Sequence, residues 1–186
     1  MSFRFEEKDL NALKTYKYAC TQPTPLDKII NPYWEACTKL LPFWMAPNLV
    51  TFIGFLFIIS GFIITGFFDL TLKKELPPWI MILNGINVFI YQTFDNMDGK
   101  QARRNKSSSV LGQLFDHGVD SFLIPLLVAI TIQASAMGSS IQGLIIYILG
   151  TYYFFVAGWE EYNIKKFPNC SGNVGSTECM LLMQLH

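Results

Sequence analysis

Apolar runs long enough to cross a membrane constrain this chain more than any other feature. A span needs about 20 mainly apolar residues, and a lipid-embedded segment must satisfy its backbone polar groups internally, as a helix does. Four runs qualify: Trp44 to Phe68, Trp79 to Phe94, Val110 to Ala134 and Ile141 to Gly158. The second is short unless its helix continues through Asp98, which brings acidic residues to the membrane interface. The expected fold is therefore all-α, a polytopic membrane helix bundle with about four transmembrane helices. Hydrophobic residues make up 51% of the 186 positions and charged residues 15%. With no internal repeat, one membrane domain is the economical count. Net charge is zero and no basic patch stands out, which argues against nucleic acid. The charged residues among 2–9 argue against a cleavable signal peptide. Cys20, Cys37, Cys170 and Cys179 form no CxxC pair, and with two histidines in the chain a zinc site is not expected.

Four carboxylates interrupt this apolar sequence at helical spacing, in DNMDGKQARRNKSSSVLGQLFDHGVD from Asp95 to Asp120. Asp95, Asp98 and Ala102 fall on one helical stripe, and Gly112, Asp116 and Asp120, each four apart, on another. Two helix ends joined by the polar turn Arg104 to Ser109 bring the four acids together. Clustered carboxylates repel unless cations lie between them, and oxygen-only ligands suit Mg²⁺, Mn²⁺ or Ca²⁺. A solvated loop between spans would account for the Lys and Arg residues, but not for acids and glycines placed on two stripes. Ionisable groups at membrane depth are costly and usually mark function.

Upstream, Pro23 and Pro25 end a segment with Leu10, Leu13 and Tyr16 near helical spacing. Leu26, Ile29, Ile30, Tyr33, Trp34, Cys37, Leu40 and Leu41 then form an apolar stripe opposed by Asp27, Lys28, Glu35 and Lys39. This predicts an amphipathic helix lying on the membrane, with Trp34 at the interface. Lys100, Arg103, Arg104 and Lys106 after the second run, and Lys165 and Lys166 after the fourth, put those ends in the cytoplasm. Lys73 and Lys74 dissent mildly. The sequons at Asn105 and Asn169 then lie on the cytoplasmic side and are expected to stay unmodified. The chain divides into an N-terminal cytoplasmic segment (1–43), a membrane domain (44–163), and a cytoplasmic loop leading into a further, incomplete span (164–186).

The motif DxxDGxxAR, eight residues, GxxxDxxxD resembles the signature of the CDP-alcohol phosphatidyltransferase family, with every fixed position matched. The words DGKQARR, LGQLFDHGVDS, WMAPNLVT, WEEYN and LKTYKYACTQPTPLDKIINPYW look like the eukaryotic choline/ethanolamine phosphotransferases. The resemblance implies transfer of phosphocholine or phosphoethanolamine from CDP-choline or CDP-ethanolamine to diacylglycerol, releasing CMP and yielding phosphatidylcholine or phosphatidylethanolamine. It implies two divalent ions, Mg²⁺ or Mn²⁺, and a site in the endoplasmic reticulum or Golgi membrane facing the cytoplasm. It also implies a six-span core, lipid contacts and a homodimer. Fewer spans are expected here than in that core, so an alternative is an inactive member that associates with a full-length enzyme.

Within that resemblance, Asp95, Asp98 and Asp116 are first-choice metal ligands, with Asp120 a further one for a second ion. Gly99, Gly112 and Ala102 keep the helix surface low enough for a nucleotide, and Arg103 offers a planar fork to phosphate. Asn48 and Thr51, in PNLVT, are placed near the nucleotide by the family pattern. Either Asp120, the family's usual candidate, or His117, histidine being the commonest general base, removes the acceptor proton. Gln92 and Asn96 lie within about a turn of the acids. Trp159, Glu160, Glu161 and Tyr162 read as an interfacial belt.

Overall fold

The computed structural model describes residues 7, 11, 23–71, 74–138, 140–164, 166–168, 170, 171 and 174–184. The expectations at Leu10, Leu13, Tyr16, Cys20, Lys73, Lys165 and Asn169 lie outside these residues. Helix α1 (Pro25–Leu40) opens with a reciprocal cap: Asp27 N donates to Thr24 Oγ1 at 3.1 Å, and Thr24 N to Asp27 Oδ2 at 2.9 Å. Then come α2 (Pro47–Phe68), α3 (Pro78–Arg104), α4 (Val110–Ala134) and α5 (Ile141–Ile164). A two-residue antiparallel pairing of β1 (Cys170–Ser171) with β2 (Val174–Gly175) leads into α6 (Ser176–Gln184). Proline at the first turn of α1, α2 and α3 starts each helix where its missing N–H is harmless.

Helices α2, α4 and α5 are long and apolar enough to cross a membrane. The second expected span, α3, does not meet that test. Its 27 residues reach about 40 Å, beyond a hydrocarbon core of about 30 Å. What disqualifies it is polarity, and that polarity is turned inward. Asn84, Asn87, Gln92, Asp98 and Gln101 are buried, whereas Trp79, Ile82, Ile86 and Phe89 are exposed. Such a helix survives in lipid because its polar groups meet protein rather than hydrocarbon. Asn84 donates to Thr65 Oγ1 at 2.9 Å, and a Cβ at Gly61 would stand 2.6 Å from Asn84 Oδ1. Gly54 is equally close-packed, with Phe94 Cβ 2.9 Å from where its own Cβ would be. Small residues on α2 thus let α3 approach closely.

Helix α2 packs along α3 on one side and α4 on the other, and α5 leans on α4. The core they enclose is Ile58, Val88, Tyr91, Leu123, Leu127 and Ile130. The predicted stripe on α1 divides in two. Ile29, Tyr33 and Leu40 are exposed and available to the membrane surface, but Trp34 is 4% exposed, packed within the protein and not at the interface. Asp27, expected on the polar face, is likewise buried. Its cap on Thr24 and a 2.5 Å bond from Thr177 Oγ1 explain why. The end of α3 is tied to the α1–α2 connection. Arg104 Nη1 donates to Thr38 O (2.9 Å) and Leu41 O (2.7 Å), with its guanidinium 3.8 Å from the Phe43 ring centre. Gln101 Nε2 donates to Pro42 O at 2.9 Å. These bonds hold the acid-bearing turn of α3 against the start of α2.

Candidate metal centre

The chain reverses between α3 and α4 through 105–109, with Lys106 in the left-handed region at φ 54°. Ser109 Oγ caps α4 by accepting from Gly112 N at 3.0 Å. This short reversal sets the last turns of α3 beside the first turns of α4. Asp95, Asp98 and Asp116 each offer an oxygen, all within 4.8 Å of one another. Asp98 is further held from α2, where Thr51 Oγ1 donates to its Oδ2 at 2.5 Å. Asp116 Oδ1 is buried and has no hydrogen-bond partner. An orphaned carboxylate oxygen facing two more carboxylates is costly in protein alone. A hard divalent cation removes that cost, so the donor set fits Mg²⁺ or Mn²⁺.

Asp120 stands outside this trio and accepts a short hydrogen bond from the Tyr91 hydroxyl. The same hydroxyl lies 3.3 Å from Asp95 Oδ1. Spacing alone singled out the acids but not Tyr91, although it lies one turn before Asp95 on the same stripe.

Glycines near the centre differ in what surrounds them. Gly54 and Gly61 are filled by a neighbouring helix, as described above. A Cβ on Gly99 would meet only Arg103 Nη1, at 3.6 Å. One on Gly112 would lie 3.3 Å from Ser109 Oγ and 3.6 Å from Asn48 Oδ1. Close helix packing therefore does not explain Gly99, which is edged by the exposed Arg103 and shares its helix with the half-buried Ala102. Gly112 is hemmed by the Ser109 cap of its own helix and lies beside Asn48 of α2.

His117 Nδ1 is 3.6 Å from Glu161 Oε2, and its ring packs on Phe167 with centres 4.7 Å apart. Glu161 Oε1 also accepts from Gln113 Nε2 at 2.7 Å. Glu161, set aside in the sequence as part of an interfacial belt, thus faces a candidate base, and Gln113 and His117 sit four apart on the α4 face that meets it. Gln92 Nε2 donates to Thr177 O at 3.4 Å, and Asn96 Nδ2 to Gln92 O at 2.8 Å. Trp159, Glu160 and Tyr162 are exposed.

The CDP-alcohol phosphatidyltransferase family profile matches residues 44–168. The chain is 39% identical, over 88% of its length, to an uncharacterised class-I family protein 3 of Dictyostelium discoideum, covering 41% of that protein. It is 36% identical to Ethanolaminephosphotransferase 1 of Homo sapiens over 84% of its length, covering 42% of that protein. With Cholinephosphotransferase 1 of Saccharomyces cerevisiae the identity is 35% over 89% of the chain and 42% of the relative. The chain thus spans about two-fifths of the length of the curated relatives it matches. A three-carboxylate centre on two helix ends of a membrane bundle, set within these matches, places the chain in the CDP-alcohol phosphatidyltransferase family.

Proposed function

We propose that this chain transfers phosphocholine or phosphoethanolamine from a CDP-alcohol to diacylglycerol, and that Asp95, Asp98 and Asp116 hold the divalent ions it needs. The observation that carries this reading is the trio itself, with the orphaned Asp116 Oδ1, near the uncrowded Gly99. Asp95, Asp98 and Asp116 would hold Mg²⁺ or Mn²⁺, which would supply charge neutralisation for the pyrophosphate and the leaving CMP. Asn48 and Arg103 border the surface where the nucleotide and its phosphates rest, and Arg103 adds a bidentate donor. Ala102 keeps that surface low.

The acceptor hydroxyl oxygen attacks the phosphorus that carries the alcohol, the bond to CMP breaks, and the hydroxyl proton passes to a protein base. His117 takes that part, with Glu161 holding the imidazole through Nδ1. Asp120, which accepts from Tyr91 beside the trio, would be available to a second ion. An open groove of about 570 Å³ runs between α4 and α5, lined by Ser121, Thr151, Phe154, Phe155, Gly158, Trp159 and Tyr162. We assign the acyl chain of the acceptor lipid to this aromatic groove. The site faces the cytoplasm of the endoplasmic reticulum or Golgi, where a soluble CDP-alcohol is available, and the whole enzyme works as a homodimer.

Equilibrium binding of CDP-choline and CDP-ethanolamine to the purified chain in lipid nanodiscs tests this reading. Binding should require Mg²⁺ and vanish in Asp98→Asn. Binding that ignores both Mg²⁺ and Asp98 would rule it out.

A further inference from the structure

The Tyr91 hydroxyl touches carboxylates on both acid-bearing helices. It belongs to α3, and its ring is fully buried among Ile58, Val88, Leu123 and Leu127. A phenylalanine would fill the same space, so packing does not require the oxygen. That oxygen nevertheless donates to Asp120 on α4 and lies 3.3 Å from Asp95 Oδ1 on α3. No step of the transfer uses it: the nucleotide surface is at Gly99 and Gly112, and the base is on the Glu161 side of α4. The hydroxyl sits instead at the seam where the two helices must agree in height for their acids to converge.

We infer that Tyr91 is a positioning residue, whose hydroxyl grips Asp120 and reaches Asp95 so that the carboxylates of α3 and α4 are held together at one metal centre. The inference rests on the metal reading above. Thr51 serves Asp98 in the same way from α2. Together they tie both ends of the α3 acid stripe, one to α2 and one to α4. Such outer bonds orient ligands, and losing one typically weakens metal binding or activity by about 10–100-fold.

The test is Mn²⁺ binding to the purified full chain in nanodiscs, read from the electron paramagnetic resonance of free Mn²⁺ with no nucleotide present. Tyr91→Phe keeps the ring in the core and should weaken Mn²⁺ binding by about 10-fold or more. Activity of that variant should return as Mg²⁺ is raised, with its Mg²⁺ requirement shifted by a similar factor. Asp120→Ala cuts the same bond from the other helix and should also weaken Mn²⁺ binding. The double variant should be weakened by less than the two single penalties added, since the Tyr91–Asp120 bond is lost in both. A Tyr91→Phe protein that binds Mn²⁺ like wild type, or penalties that simply add, would overturn the inference. So would an Asp120→Ala protein with undiminished Mn²⁺ affinity. A wild-type chain that binds no Mn²⁺ at all would instead sink the metal reading beneath it.

Discussion

Adding one methyl group to Gly99 and one to Gly54 should have opposite consequences. At Gly54 the new Cβ would stand 2.9 Å from Phe94 Cβ and 3.4 Å from the Tyr91 ring. Both neighbours sit on a packed helix, so the backbones must part. Overpacking of this kind costs about 1–3 kcal/mol, or roughly 2–12 °C in melting temperature at about 2–4 °C per kcal/mol for a chain this size. At Gly99 the only neighbour is the Arg103 guanidinium at 3.6 Å, an ordinary contact with a flexible side chain. There alanine relieves the entropic penalty of a mid-helix glycine, worth about 0.5–1 kcal/mol. Gly99→Ala should therefore melt at or slightly above wild type. Its effect should fall on the ligand, because the methyl occupies the space assigned to the nucleotide. One methyl group in a fitted site is worth about 10–200-fold in discrimination. The assay pairs thermal unfolding in detergent with calorimetric binding of CDP-choline. If Gly99→Ala melts as low as Gly54→Ala and binds CDP-choline normally, Gly99 is a packing residue and the nucleotide surface lies elsewhere.

Other expectations follow from single contacts. Asn in place of Asp95, Asp98 or Asp116 should each abolish transfer while leaving the chain in the membrane fraction, and EDTA should do the same to wild type. His117→Ala should cut kcat by about 10²–10⁴-fold with CDP-alcohol binding retained; if it stays active while Asp120→Asn is dead but still binds metal and nucleotide, Asp120 is the base. Arg104→Ala removes two carbonyl contacts and the Phe43 stack, so limited proteolysis should cut the 38–45 connection faster than in wild type. Asn105, whose amide donates to Phe43 O at 2.9 Å, should carry no glycan in cells; a glycan there would reverse the assigned topology.

Much of the centre was legible because helical period alone aligns acids three and four apart. Asp95, Asp98 and Asp116 converge as their spacing predicts, since a short turn of 105–109 leaves two helix ends little freedom. The spans α2, α4 and α5 are likewise plain from apolar length. Helix α3 was harder to read. Its apolar run is interrupted by Asn84 and Asn87, and only the α2 partners Thr65 and Gly61 show why a polar stripe is tolerable there. Trp34 was misplaced because an amphipathic pattern tells which residues avoid water, not whether lipid or protein covers them. Tyr91 and Glu161 stayed hidden for a related reason. Each acquires meaning from a residue on another helix, Asp120 in one case and His117 in the other, and no local period encodes such pairs.

The central claim is divalent-dependent transfer from a CDP-alcohol to a lipid hydroxyl at the Asp95, Asp98 and Asp116 centre. Its most direct measurement is radiolabel transfer from CDP-choline or CDP-ethanolamine into lipid, using purified chain in vesicles containing diacylglycerol. Labelled phosphatidylcholine or phosphatidylethanolamine should appear with Mg²⁺ or Mn²⁺ and disappear with EDTA or Asp98→Asn. Label reaching the lipid at an undiminished rate in EDTA, or from the Asp98→Asn protein, would contradict the account.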